Sequence, residues 1–468
     1  MKTPALLLCH AAVAALALAA SGASAGEKTF PYAVTKRTLP NGLDVVVIET
    51  PEFKEVLSFN TLVLAGSGKE AEKGRTGLAH LFEHILFRHR MGGVEGGYDE
   101  AIRRMGAHNN AWTWFDVTYY HPLTFTSNLR DLADLESARF KKLDFDEKTF
   151  KTETGAVLGE YRRGASFPSF KMEEKLYSLM FPGHPYGHTT MGFYEDVLDM
   201  PAHYEAARRF YDEYYRQGNC ALIVTGDVKP EEVFSAVSER YKDWEAKEPP
   251  PARPFPVPPR KEQKAHVSWD ADVAPQLRVA YRTPAFRPGT PESGVMQLLG
   301  ELLVSQAAPL YKRLRYDTRM VSELSLDEGS RGMESVEPRL MVLAAELFKD
   351  RYAAKGKAYF EETAGEIVRG VDALSRFAQD GESVRLLEVL RAKYRYDMLS
   401  RFKSPEEIAS DFAWYYRFGR DTEVFEKLVK AVEALSPEDV ERFAKAYLKP
   451  ENRAIVTMAY KSGPGARP

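Results

Sequence analysis

Three side chains that could bind and use a metal ion lie within five consecutive residues. The segment HLFEH places His80, Glu83 and His84 in the order H-x-x-E-H, the inverse of the usual zinc-protease signature. On a helix, residues three and four positions apart share a face, so both imidazoles and the carboxylate would point the same way. The ring nitrogens could bind zinc, and the carboxylate could act as an acid and a base toward water.

The neighbouring sequence predicts a helix that can present these side chains. Apolar residues occupy positions 78, 81, 82, 85 and 86, which is the spacing of a core-facing stripe. His80, Glu83 and His84 fall on the complementary stripe, so core packing and metal binding do not compete for positions. The alternative is that the histidines are ordinary surface or hydrogen-bonded core residues. A catalytic zinc site needs a third protein ligand from elsewhere.

A second predicted helix, residues 146–164, offers candidates for that ligand. Asp144 or Asp146 lies near its start, and Glu153 and Glu160 lie seven residues apart, which is two turns along one face. Either glutamate could point at the metal. The alternative is a solvated acidic face, the usual situation for glutamates on a helix.

Length and charge restrict the class of protein. A chain of 468 residues is too long for one ordinary core and indicates two or more domains. The net charge of −3 implies no polyanionic partner and disfavours nucleic-acid binding.

The first 25 residues have the composition of a secretory signal. Lys2 provides the positive start, residues 5–20 are mostly apolar, and Ala23-Ser24-Ala25 is a small-x-small cleavage site. The alternative is an uncleaved anchor, although the apolar run is short for a membrane span. Cleavage would leave a net charge of −3 − 1 = −4 and Cys220 as the one remaining cysteine, so no intramolecular disulfide could form. We expect a periplasmic or secreted protein without stable membrane insertion.

Two segments of the chain resemble each other at an offset of 233 residues. Residues 209–228 and 442–461 both run from an amphipathic helix through a turn into a β-branched strand. A repeat of this length indicates a duplicated domain, although two common helix–turn–strand units could also be similar by chance. Residues 248–260 contain seven prolines and predict an extended connector between the copies.

The predicted organisation is therefore a signal over residues 1–25 and two homologous α/β-sandwich domains of α+β class. The domains span 26–245 and 266–468, joined by a Pro-rich linker at 246–265. Strands are predicted at 43–49, 57–65, 117–125, 221–225 and 278–282, and helical periodicity is found at 293–304 and 383–401.

Further motifs make the chain resemble a known family. They are LPNGL at 39–43, NAWT at 110–113, HPYGHTTMG at 184–192 and LIVTGD at 222–227. With HLFEH, they resemble the pitrilysin/insulin-degrading enzyme family of zinc peptidases, in its short two-domain branch, which includes the β subunit of the mitochondrial processing peptidase. That family's third ligand is a Glu 76 residues beyond the second His, with another Glu seven residues before it. Here 160 − 84 = 76 and 160 − 153 = 7.

The resemblance implies a role for each matching residue. Zn²⁺ would be held by His80, His84 and Glu160, with Glu83 as general base and Glu153 as a supporting carboxylate. Family enzymes align an extended peptide along an edge strand, here the strand with Asn110 and Ala111, although Asn110 could also be an ordinary turn residue. Trp112 and Trp114 could line the cleft, but core packing is the expected role of both.

One expected residue is missing from the second half. Catalytic members carry an Arg followed seven residues later by a Tyr; Arg315 matches the Arg, but the later position is Ser322. In the heterodimeric bacterial branch another subunit supplies this pair, so the resemblance implies the zinc-bearing member of a heterodimer. The alternatives are a monomer or homodimer that uses Arg315 with another donor, a non-catalytic peptide-binding or scaffold subunit, and a zinc hydrolase acting on other amides.

Overall fold

The computed structural model of the protein describes residues 28–93, 96–251, 255–257, 261–327 and 333–460. Over these residues the chain forms two mixed β-sheets flanked by helices, so the predicted α+β class is confirmed. The predicted signal at residues 1–25 lies outside the described residues.

The first sheet belongs to the N-terminal half of the chain. Its seven strands are β1 (Ala33–Thr38), β2 (Asp44–Glu49), β3 (Val56–Val63), β4 (Ala111–Thr113), β5 (Thr118–Tyr120), β6 (Leu123–Phe125) and β7 (Cys220–Gly226). Their order is β1-β2-β7-β3-β5-β4, and β6 also pairs with β3. The β2–β7 pair is parallel and the other pairs are antiparallel, so β4 lies at one edge of the sheet.

The second sheet repeats this arrangement with five strands. They are β8 (Gln263–Trp269), β9 (Gln276–Arg282), β10 (Glu323–Leu326), β11 (Leu340–Glu346) and β12 (Arg453–Tyr460), in the order β10-β11-β9-β12-β8. The parallel β12–β8 pair corresponds to β7–β2, which makes β10 the counterpart of the edge strand β4.

Helices cover both sheets. Those before the second sheet are α1 (Leu78–Leu86), α2 (Gly97–Arg104), α3 (Leu129–Lys141), α4 (Glu147–Gly164), α5 (Pro168–Met180), α6 (Tyr194–Asp199), α7 (Tyr204–Tyr214) and α8 (Pro230–Tyr241). Those between β9 and β12 are α9 (Pro291–Val304), α10 (Pro309–Lys312), α11 (Lys349–Lys355), α12 (Lys357–Ala373), α13 (Gly381–Leu399), α14 (Pro405–Tyr416), α15 (Val424–Glu433) and α16 (Pro437–Tyr447).

The sequence repeat corresponds to a structural repeat. Helix α7 begins at Tyr204 and α16 at Pro437, while β7 begins at Cys220 and β12 at Arg453; both differences are 233 residues. The described residues between 245 and Gln263 form no helix or strand, as expected of a linker. The exact bounds of the two domains stay a prediction.

The two halves exchange one helix each. Helix α5 lies in the N-terminal half but packs on β8, β9 and β12 of the second sheet, where Met172 joins the apolar cluster of Val456 and Met458. Helix α14 lies in the C-terminal half but packs on β3 and β7 of the first sheet. Each sheet is therefore completed by the other half, and the two sheets are held as one body.

Most predicted elements are present within two residues of their expected bounds, but one prediction is wrong. The segment 117–125, expected as one strand, is two short strands, β5 and β6, which both pair with β3. Pro122 lies between them and cannot donate a ladder hydrogen bond, while its carbonyl accepts from Phe59 N at 3.0 Å. Among the described residues, no helix combines the length and apolar character that crossing a membrane requires.

Candidate metal centre

Helix α1 presents the H-x-x-E-H residues and buries its opposite stripe. Leu81, Phe82 and Ile85 are fully buried, as the apolar spacing predicts. The helix starts after Gly77, whose φ of +92° is in the left-handed region. A Cβ there would also lie 2.8 Å from the Met191 carbonyl oxygen, so the position requires glycine for two reasons.

A buried carboxylate holds the start of α1. Glu70 accepts hydrogen bonds from the backbone N–H of Gly77 and of Ala79, both at 2.7 Å. These are two of the N–H groups that a helix leaves unpaired at its first turn. Burial, which outweighs these two hydrogen bonds, raises the pKa of Glu70 to about 8. The capping contact therefore fixes the turn that immediately precedes His80.

Helix α4 brings the acidic residues to the same place. Asp146 caps it by accepting from Thr149 N at 2.8 Å, and the helix is 18 residues long and packs against α1. Because Glu153 and Glu160 are two turns apart, both can face α1. Asp144 and Asp146 instead pair with Arg90, away from the histidines, so they are not metal ligands in this geometry.

His80, His84 and Glu160 converge on a single point. The Oε2 atom of Glu160 lies 3.6 Å from His80 Nε2 and 3.8 Å from His84 Nε2, and the three potential ligand atoms all lie within 4.8 Å of one another. Two imidazole nitrogens and a carboxylate oxygen are a ligand set that zinc accepts, with one position left over. Such separations are close to those of ligands around one ion, so the three residues fit a zinc ion.

The two histidines differ in their electrostatic surroundings. Burial, with a smaller contribution from His84, lowers the pKa of His80 to about 3, so its imidazole is held in the neutral form that binds metals. Burial also lowers the pKa of His84, but the nearby carboxylates outweigh it and raise the pKa overall. The carboxylates of Glu153, Glu160 and Glu83 around half-buried His84 therefore make this place favourable for a cation.

Glu153 lies behind His84 rather than among the ligand atoms. Its Oε2 is 3.5 Å from His84 Nδ1, and its Oε1 accepts from Arg88 Nε at 2.8 Å. Burial acts to raise the pKa of Glu153, but the contacts with His84 and Arg88 prevail and lower it, which keeps the carboxylate charged. Of the two glutamates left open by helical spacing, Glu160 therefore lies with the two imidazole Nε2 atoms, and Glu153 contacts the Nδ1 side of His84.

Glu83 interacts electrostatically with His84 and Glu160 and is held by a strand. Thr113 Oγ1 donates to Glu83 Oε2 at 2.6 Å. Burial raises the pKa of Glu83, and the Thr113 hydrogen bond opposes this. A carboxylate that is fixed by one oxygen and interacts with His84 and Glu160 is suited to receiving a proton from water.

The predicted substrate-binding residues lie in different parts of the molecule. Ala111 is in β4, at the sheet edge beside α1, and its N–H donates to Asn110 Oδ1 at 2.9 Å. Arg315 lies in a π-helical turn, Arg313–Asp317, in the C-terminal half. Ser322 donates to the Glu346 carbonyl oxygen at 3.1 Å, next to the edge strand β10. The adjacent Tyr316 packs edge-on to Tyr311 and is 53% exposed.

Trp112 and Trp114 are packing residues, as expected. Their rings lie 5.8 and 6.0 Å from the ring of Trp414, which belongs to the exchanged helix α14. The contacts of Glu70, Arg88 and Thr113 were not predicted from the sequence. Thr113 is the last residue of the NAWT motif, which is the one sequence feature that could have indicated its importance. No sequence feature indicates Glu70 or Arg88, because their contacts depend on tertiary packing.

Comparisons with known proteins identify the family of this chain. The sequence model described as Insulinase (Peptidase family M16) matches residues 45–193, which contain His80, Glu83, His84 and Glu160. A second model, Peptidase M16 inactive domain, matches residues 202–333. The chain belongs to peptidase family M16 and has its two-domain structure. The resemblance inferred from the motifs is thus confirmed.

Individual relatives of this M16 chain have low sequence identity to it, but some align over most of its length. The zinc protease PqqE of Helicobacter pylori is 26% identical over 388 residues, which cover 81% of this chain and 82% of that protein. The β subunit of the mitochondrial-processing peptidase of Caenorhabditis elegans is 26% identical over 204 residues, covering 44% and 43% of the two chains. A crystal structure of a protease from Helicobacter pylori superposes with a TM-score of 0.81 at 23% identity, covering 92% and 99% of the two chains, which shows the shared fold.

Proposed function

We propose that this protein is a zinc-dependent endopeptidase that cleaves peptides or unfolded segments. The observation that carries the proposal is the convergence of His80, His84 and Glu160 within 4.8 Å beside the carboxylate of Glu83. A zinc ion bound there would supply Lewis-acid polarisation of the peptide carbonyl and of the attacking water. Relatives named as zinc proteases support the assignment.

Glu83 and Glu153 perform the steps that a metal ion would not supply, which are proton transfer and orientation of His84. Glu83 takes a proton from the attacking water and delivers it to the departing amine, because its carboxylate is fixed by Thr113 and interacts with His84 and Glu160. Glu153 holds the His84 ring in orientation through Nδ1, which leaves Nε2 toward the metal position. Neither role requires a residue from outside the N-terminal half.

Strand β4 aligns the substrate. Among the described residues β4 pairs only with β5, so its outer edge can accept an extended peptide by main-chain hydrogen bonding. Ala111 lies in this strand and Asn110 precedes it, within reach of a peptide backbone. This mode requires an unfolded segment, since a residue already in a sheet or helix has no free backbone groups to offer.

A paralogous subunit completes the cleft. Family enzymes use an Arg and a Tyr from the C-terminal domain, and here Arg315 is followed by Ser322, whose hydroxyl bonds to the Glu346 backbone. The relative in Caenorhabditis elegans is itself named as a subunit. We expect the chain to have low activity by itself, which affinity purification and assays with and without the captured partner would test. Full activity of the single chain would exclude this part of the proposal.

A non-catalytic peptide-binding subunit is the second candidate. It is favoured by the match of residues 202–333 to a domain described as inactive and by the missing Tyr. The intact set of ligands and base argues against it. Bound zinc and cleavage of an unstructured peptide separate the two functions.

The deciding experiment is Glu83→Gln in the full chain with its captured partner. The variant should bind zinc at the wild-type ratio, measured by elemental analysis, and should lose peptide cleavage. Glu100→Gln is the matched control, because Glu100 is an exposed residue paired with Arg104 on α2. Undiminished turnover by Glu83→Gln would rule out the mechanism.

The site of action follows from the predicted signal at residues 1–25. We propose that the protein acts in the periplasm or outside the cell. A mature N-terminus at Gly26, determined by mass spectrometry of the exported protein, would support this.

A further inference from the structure

The Thr113–Glu83 hydrogen bond joins the candidate peptide-binding strand to the candidate general base. Thr113 is the last residue of β4, and Glu83 is in the middle of α1, which packs against that strand. At 2.6 Å the bond is at the short end of the range for a hydroxyl donating to an oxygen. The contact is therefore a strong one between two elements with different proposed tasks.

The backbone of Thr113 is directed away from the sheet. In an antiparallel pair, every second residue exchanges hydrogen bonds with the partner strand. His121 N donates to Asn110 O at 2.9 Å, and Trp114 N donates to Val117 O at 2.8 Å, so the residues bonded to the β5 side are 110, 112 and 114. The N–H and C=O of Ala111 and Thr113 then face the open edge; the Ala111 N–H is bonded to Asn110 Oδ1, which leaves the Thr113 backbone as the place where an extended peptide would pair.

The two side chains of β4 that face α1 follow from the same alternation. Ala111 belongs to the apolar cluster around α1, and Thr113, two residues later, reaches Glu83 on the same face. Trp112 points to the opposite face, where it packs on Tyr119 and Trp414. Thr113 thus presents its backbone to the substrate and its hydroxyl to the base at the same time.

We propose that Thr113 is a positioning residue that couples alignment of the peptide on β4 to the orientation of Glu83. A peptide that pairs with the Thr113 backbone holds the strand in place, and the strand holds the Glu83 carboxylate toward the water that attacks the peptide. The inference rests on the proposed peptidase function. It assigns to Thr113 an effect on turnover and none on metal binding.

The test uses the zinc-loaded full chain, with any subunit that co-purifies, and an internally quenched unstructured peptide. Thr113→Val keeps the shape of the side chain and removes the hydroxyl. Loss of a hydrogen bond to a charged group corresponds to a fall in kcat of about ten- to a hundred-fold. KM should stay within about two-fold and the zinc content should be unchanged, since the variant removes no ligand and no backbone group. Thr113→Ser should restore most of kcat.

Thr118→Val is the matched control. Thr118 is the cross-strand partner of Thr113 in β5 and is fully buried, but its hydroxyl donates to the Ala65 carbonyl oxygen. The Thr118→Val variant should retain a kcat near that of the wild type. Equal loss in both Val variants would show a general disturbance of the sheet and would overturn the inference.

Other outcomes separate this inference from the function on which it rests. If Glu83→Gln is active in the same assay, the proposed function fails. If Glu83→Gln is inactive while Thr113→Val turns over at the wild-type rate, the coupling role alone is refuted. Loss of zinc from Thr113→Val in step with activity, or a Ser variant as impaired as the Val variant, would also refute it.

Discussion

Glu153 lies against the His84 imidazole, with its Oε2 atom 3.5 Å from Nδ1, the ring nitrogen that does not face the metal position. A carboxylate in this place accepts the Nδ1 proton and thereby leaves Nε2 free to bind a cation. It also makes the imidazole a stronger ligand. Glu153 would thus act on a bound metal through His84, while Glu160 lies among the three potential ligand atoms.

Replacing Glu153 should weaken zinc binding without removing a ligand. Glu153→Gln keeps the size of the side chain but loses the charge that orients His84, and such contacts behind a ligand contribute about 10- to 100-fold to metal affinity. The measurement is competition with a chelator for zinc. Glu147→Gln is the control, because Glu147 is on the first turn of the same helix and pairs with Lys151. Equal affinities of the wild type and Glu153→Gln would contradict this role.

Removing the Asn110 side chain should weaken peptide binding more than turnover. Asn110 is exposed at the start of β4 and accepts from Ala111 N, so its amide group lies along the open edge. Loss of one neutral hydrogen bond to the substrate raises KM by up to about ten-fold in Asn110→Ala. The adjacent Asn109 bonds to Tyr98 instead, which makes Asn109→Ala the control. A fall in kcat at constant KM would contradict the assignment.

The candidate metal ligands could be proposed from the sequence because local periodicity limits which side chains share a face. Helical spacing places His80, Glu83 and His84 on one face, and the same rule makes Glu153 and Glu160 equivalent candidates. Spacing cannot decide between those two, because the choice depends on how far along α4 the contact with α1 falls. The family spacing of 76 residues selected Glu160, and the structure agrees with that selection.

The exchanged helices could not be predicted from the sequence. The apolar residues of α5, such as Met172 and Leu176, show that one face is buried, but they do not specify which sheet they bury it against. The same limit applies to Thr113 and Glu70, whose partners are 30 and 7 to 9 residues away and are fixed by packing. Local pattern therefore predicts which faces are buried, and tertiary contacts decide what they meet.

A cavity in α5 should destabilise the second sheet, although α5 belongs to the N-terminal half. Met172 is fully buried against Val456 and Met458, and replacing a buried Met by Ala costs about 2–5 kcal/mol of unfolding free energy. Denaturant unfolding should shift accordingly, and hydrogen exchange should become faster in peptides that cover β12. Lys175→Ala, at an exposed position of the same helix, should leave both unchanged. Normal protection of β12 in Met172→Ala would show that the halves are independent.

Glu70 should make the stability of the protein depend on pH. Burial raises its pKa from 4.5 to about 8 in the folded protein, so folding retains a proton that the unfolded chain releases above pH 4.5. Its contribution to the unfolding free energy is complete below pH 4.5 and is lost as the pH rises to about 8. Denaturant unfolding of the metal-free protein across this range should show a decline that is smaller in Glu70→Gln. Glu72→Gln, at an exposed position nearby, should keep the wild-type decline. An unchanged decline in Glu70→Gln would mean that Glu70 is charged in the folded protein, and that its two hydrogen bonds to α1 outweigh its burial.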